Sequence, residues 1–174
     1  MKPRGNDKFL RELRSVMKSL REEKYKEFSR HVSVGDLFMD REETARYYGF
    51  GEGSLCYDNV LIIGNVTVGR HTWIGPNVIL DGSGGLEIGD YVSISAGAQI
   101  YSHHTVNWSV SEGKDPVEKR STKIGDGVYI GPNAVVQMGI AIGDGAIVGA
   151  LSFVNRDLPA GVRAYGVPAR IHTN

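Results

Sequence analysis

Five histidines occur in the 174-residue chain: His31, His71, His103, His104 and His172. Only His103 and His104 fall where a regular repeat gives way to a polar loop, three and four residues after Ile100. An imidazole has an ordinary pKa near 6.5, so at neutral pH it is mostly unprotonated and can take the proton from an attacking hydroxyl. On spacing alone, two solvated loop histidines explain the pair equally well. No serine or cysteine is marked as a nucleophile; Cys56 lies in an unremarkable setting before the repeat. A single cysteine excludes an internal disulfide and a cysteine zinc cluster, and no His-x-x-x-x-His spacing suggests a histidine metal site. No metal is expected.

The elements that must hold these groups announce themselves by a period of six. Ile124, Ile130, Val136, Ile142, Val148 and Val154 keep it without a slip, and Gly125, Gly131, Gly143 and Gly149 follow four of them. Two residues earlier sit Thr122, Val128, Ala134, Ile140, Ala146 and Ser152. Residues two apart share a strand face, so each unit is a short strand with two inward side chains, ended by a turn. Six does not match the helical 3.6, and one unit cannot bury a face alone, so the units must stack as a solenoid. Upstream, Val68, Ile74 and Leu80 keep the step, Leu80 to Ile88 adds two residues at Gly82-Ser83-Gly84-Gly85, and Ile94 and Ile100 resume it. The extra pair reads as a small bulged turn. Residues 101–121 lack the repeat and read as a loop pushed out of the solenoid, with room for one strand inside.

Residues 6 to about 30 carry Phe9, Leu10, Leu13, Val16, Met17 and Leu20 on one helical stripe, which predicts a helix packed on the solenoid or on a neighbouring subunit. A short helix follows from Arg41 to Tyr48, and Gly49 to Gly53 turns the chain into its first coil. That glycine cluster has no Lys-Ser/Thr after it and makes a poor phosphate loop. The expected organisation is a helical extension over 1–54 and a solenoid domain over 55–171. Formal net charge is zero and there is no basic run, so neither nucleic acid nor a membrane surface is an expected partner. No stretch reaches the roughly 20 apolar residues of a membrane span, and no signal peptide is evident. A cytoplasmic location is expected.

Three motifs carry a family resemblance. Trp73-Ile74-Gly75-Pro76-Asn77 with Ile79-Leu80-Asp81-Gly82, then Ala98-Gln99-Ile100-Tyr101-Ser102-His103, and the tail Ala164-Tyr165-Gly166-Val167-Pro168-Ala169-Arg170 resemble the hexapeptide-repeat acyltransferases. Among these the chain is similar to the maltose and galactoside O-acetyltransferases and to the acetyltransferases of lipopolysaccharide O-antigen. The resemblance implies an all-β solenoid, a left-handed parallel β-helix, and a homotrimer that transfers acetyl from acetyl-CoA to a sugar hydroxyl in surface-polysaccharide assembly. It makes His103 the general base, with His104 open as the alternative, and Glu118 a candidate carboxylate to hold the imidazole. Glu118 also reads as a solvated loop charge. Asp81 matches an acidic position on the acceptor side, or else caps the bulge through its own backbone. Asn77 and Tyr101 are the other acceptor-side positions, although Pro76 stands where the galactoside enzymes carry an asparagine.

For the donor, the resemblance places Gly131, Gly149, Ala150 and Ser152 along the pantetheine path, chiefly through backbone groups. Asn155 and Arg156 stand at the family's Thr-Lys position, and Pro168 and Arg170 close the site. A further basic position is Thr173 here. An aminosugar N-acetyltransferase and a non-catalytic trimeric scaffold are the rival readings. A γ-type carbonic anhydrase lacks its metal histidines here, and a serine acetyltransferase lacks its long helical N-terminal domain.

Overall fold

In the computed structural model, which describes residues 7–172, the chain divides into two compact units, one up to Asp40 and one from Arg41 onward. The first unit holds α1 (Asp7–Phe28) and the single turn α2 (Gly35–Phe38). The three-four apolar stripe explains α1, and along it Leu13, Met17 and Leu20 are half-buried while Phe9, Leu10 and Val16 are exposed. Ser33 Oγ donates to Asp36 Oδ2 at 2.6 Å at the start of α2.

The second unit opens with α3 (Arg41–Tyr47) and continues as a parallel β-solenoid of about six turns. Three stacks of inward side chains define its three walls. Cys56, Ile74, Ile94, Ile130, Val148 and Ala164 are in register on the first. Ile62, Leu80, Ile100, Val136 and Val154 form the second. Val68, Ile88, Ile124, Ile142 and Leu158 form the third. Every step of six moves the chain to the next wall, and three steps bring it back one rung higher. The residues two places earlier in the repeat, Thr122 through Ser152, are all buried as well. The core is therefore a column of aliphatic and small side chains, whose buried apolar members form one continuous cluster.

Two departures from the repeat shape the site. Strands Leu61–Val68 and Ile79–Ile88 run through the corner between the second and third walls, and their register shifts there: Gly64 pairs with Gly82 but Val66 with Leu86. Asn65 thus faces the extra residues of the expected bulge. A side chain at Gly82 would collide with the Asn65 backbone, so the bulge requires glycine at that place. The second departure is the extruded loop. It carries strand His103–His104, the turn of helix α4 (Val106–Val110) and strand Glu118–Lys119, which pairs antiparallel with His103–His104. The expected single strand is thus a two-stranded hairpin.

Because each rung leans on the next, a cavity in one should be felt by all. Ile130 is fully buried between Ile94 and Val148. Ile130→Ala is expected to lower unfolding free energy by about 2–5 kcal/mol in urea titration. A loss below about 1 kcal/mol would mean that the column relaxes around the hole.

Candidate active site

The loop leaves the second wall after Ile100 and returns on the third at Thr122, and its neck is drawn shut. Thr122 Oγ1 donates to the Tyr101 carbonyl at 2.7 Å, and Arg120 N donates to the Ser102 carbonyl at 2.9 Å. His103 therefore stands on the neck, against the solenoid, while the rest of the hairpin projects beyond it. Leu80 stacks directly on Ile100 one rung apart, which brings the next residue, Asp81, beside the neck.

Asp81 is wholly buried, with a relative exposure of 0%. Its Oδ1 accepts from Ser83 N at 3.0 Å and Ser83 Oγ at 2.6 Å. Its Oδ2 accepts from Ser102 N at 2.8 Å and His103 N at 3.0 Å, and lies 2.5 Å from His103 Nδ1. Burial pushes this carboxyl up, but the hydrogen bonds from Ser83, Ser102 and His103 outweigh it and hold the pKa at about 2. The group is thus ionised at neutral pH. A carboxylate only accepts, so the hydrogen between it and the imidazole sits on Nδ1. The lone pair of neutral His103 is then on Nε2. With a side chain 28% exposed, the ring borders a cleft of about 410 Å³.

Tyr101, His104, Thr105 and Val106 line the same cleft from the loop, and Val135, Gln137, Met138 and Phe153 line it from the second wall. The wall positions are legible in hindsight: Val135 and Phe153 each precede an inward aliphatic and so must point outward, stacked in register. Tyr101 OH donates to Gln99 Oε1 at 2.7 Å.

Glu118 faces His104 rather than His103, with Oε2 3.8 Å from His104 Nε2 and 3.3 Å from Arg120 Nη2. Its Oε1 accepts from Asn107 Nδ2. His104 Nδ1 accepts from Val106 N at 3.4 Å. Both nitrogens of His104 are thus turned to the loop's own groups. Asp81, expected toward the acceptor, faces His103 instead and uses both oxygens on the chain's own donors; the bulge-capping contact with Ser83 is present too. Asn77 lies at the corner after the first wall with φ +57° and exchanges hydrogen bonds with Asn59, 3.0 and 3.3 Å, away from the cleft lining.

The residues expected along the donor path lie on the C-terminal rungs. Gly131 packs where a Cβ would come 2.5 Å from Ala150 N, so glycine is needed there for rung stacking. Gly149 and Ala150 lead into an open turn at Leu151. Ser152 is turned inward: its Oγ accepts from Gly166 N at 3.1 Å, and its carbonyl accepts from Val135 N at 2.8 Å. Its hydroxyl is thus engaged within the chain. Asn155 and Arg156 are exposed, and Arg170 is exposed on the last strand, Ala169–His172, which folds back on Arg163–Gly166 through the cis Val167–Pro168 bond. None of these residues borders the cleft of its own chain. Thr173 lies outside the described residues.

Among the described residues, no group of three metal-ligating side chains forms, and no helix is long and apolar enough to cross a membrane. The depressed Asp81 value carries a stability consequence. Its folded-state pKa lies below the ordinary 3.8, so ionised Asp81 stabilises the fold fully above that value. The contribution fades as pH falls toward about 2. Urea midpoints of the parent and Asp81→Asn should accordingly differ most above pH 4 and converge toward pH 2. A constant gap across that range would contradict the assignment.

The model of the bacterial transferase hexapeptide, six repeats, matches residues 121–156. That stretch, about a fifth of the chain, carries the hexapeptide repeat. The solenoid is consistent with the left-handed β-helix of that fold. Nodulation protein L of Rhizobium meliloti is 33% identical over 114 residues, 62% of this chain and 58% of that protein. Galactoside O-acetyltransferase of Escherichia coli is 30% identical over 125 residues, 60% of this chain and 62% of that protein. The chain thus spans less than two thirds of either relative. A hexapeptide-repeat acetyltransferase from Vibrio cholerae, solved with acetyl coenzyme A, superposes with TM-score 0.68 at 26% identity, covering 98% of this chain and 91% of that one.

Proposed function

We propose that this hexapeptide-repeat chain is an acetyl-CoA-dependent O-acetyltransferase that acts on a sugar hydroxyl, with His103 as general base and Asp81 as its orienting carboxylate. The observation that carries the reading is the 2.5 Å contact between buried Asp81 and His103 Nδ1 beside the cleft. The likeness to galactoside O-acetyltransferase and to the Vibrio cholerae acetyltransferase supports it. The acceptor oxygen attacks the thioester carbonyl carbon while His103 Nε2 takes its proton. Collapse of the tetrahedral intermediate breaks the carbon–sulfur bond, and the imidazolium returns the proton to the departing thiolate. Asp81 fixes the tautomer and stabilises the transient positive ring, a task its low pKa suits. No covalent enzyme intermediate is needed, because donor and acceptor meet in one ternary complex.

Gly149, Ala150, Asn155, Arg156 and Arg170 lie outside the cleft that His103 borders. A homotrimer resolves this, with the C-terminal rungs of one copy facing the cleft of the next. Arg156 and Arg170 would then meet the phosphates of coenzyme A. We place the reaction in the cytoplasm, in surface-polysaccharide assembly. The test is thiol release from acetyl-CoA with free sugars, lipid-linked glycans and nucleotide-linked aminosugars. Release with a hydroxyl acceptor is the expected result. Release with aminosugars alone would turn the reading to N-acetylation, and none with any acceptor would leave a scaffold.

A further inference from the structure

We infer that Ser83, in the two-residue bulge of strand Ile79–Ile88, is a positioning residue that aims Asp81 at His103. The inference rests on the reading of His103 as base. The steps from Ile62 to Val68 and from Val136 to Ile142, between the same two walls, take six residues; this one takes eight. The extra residues go straight to the dyad. Ser83 gives both its N–H and its hydroxyl to Asp81 Oδ1, at 3.0 and 2.6 Å, and Gly84 N donates to Ser102 Oγ at 2.8 Å. Ser102 is itself fully buried and donates its N–H to Asp81 Oδ2.

The two oxygens of Asp81 are therefore dealt to different partners. Oδ1 belongs to the bulge, and Oδ2 belongs to the neck of the loop and the imidazole. A carboxylate with one oxygen loosely held can rotate about its Cβ–Cγ bond and blur the direction of the other. Ser83 removes that freedom by gripping Oδ1 from two sides within a single residue. A charge-assisted hydroxyl bond of 2.6 Å belongs to the stronger class of hydrogen bonds.

The test compares Ser83→Ala, Ser83→Thr and His103→Ala in the full chain. Ser83→Ala is expected to lower kcat roughly tenfold with KM for both substrates unchanged, as for a charge-assisted bond felt in the transition state. Ser83→Thr keeps the hydroxyl and should regain most of that rate. Proton NMR supplies a readout independent of turnover: the far-downfield imidazole N–H resonance that disappears in His103→Ala should shift or broaden in Ser83→Ala and persist in Ser83→Thr. The proposal is overturned if Ser83→Ala turns over within twofold of the parent while His103→Ala is inactive. It is equally overturned if alanine and threonine lose the same rate, or if the resonance is unmoved in Ser83→Ala. Full activity in His103→Ala would instead refute the assignment of the base, and the resonance alone would then decide the role of Ser83.

Discussion

Asparagine in place of Asp81 is expected to lower kcat by about 10³- to 10⁴-fold. An amide has one accepting end, whereas Asp81 serves five donor contacts through two oxygens. If the amide oxygen turns toward Ser83, its NH2 meets the imidazole. His103 must then accept at Nδ1 and carry its hydrogen on Nε2, where a base is needed. If the oxygen turns toward His103, the NH2 confronts both donors of Ser83. Each buried donor left unpaired costs about 1–3 kcal/mol, so the variant should also unfold at lower urea. Kinetics on the folded fraction separates the two effects. A kcat within tenfold of the parent would mean that Asp81 does not set the tautomer.

Removing the imidazole should be as severe. His103→Ala is expected to lower kcat by about 10²- to 10⁴-fold, the range for a lost general base, and to lower stability as well because buried Asp81 loses its Nδ1–H partner. His104→Ala should cost less than about tenfold, since both nitrogens of His104 face groups of its own loop. Steady-state assays of the two variants side by side decide the matter. The reverse order of effects would move the base to His104 and make Glu118 its partner.

The walls could be read directly from the chain. A period of six with paired inward positions named the buried column from Thr122 to Val154, and the eight-residue step announced the bulge. The Asp81–His103 pair was hidden because those residues lie on different rungs. The number of residues between them passes through the bulge and one full circuit, so sequence distance says nothing of proximity. Glu118 looked nearer to the histidines and does meet one, but the antiparallel register sets it opposite His104. For Ser152 the repeat marked an inward position, and its side chain is buried there. Gly131 is needed for rung stacking.

The drawn-shut neck has a consequence for how such a fold can change. Ile94 and Ile130 sit in register as though nothing intervened, so the excursion between them leaves no mark on the phase of the coils. His103 sits just past the closure, fastened to buried Asp81, and Asn107 and Glu118 lie farther along the loop. Residues 105–117 can therefore be exchanged without reopening the solenoid or dislodging His103.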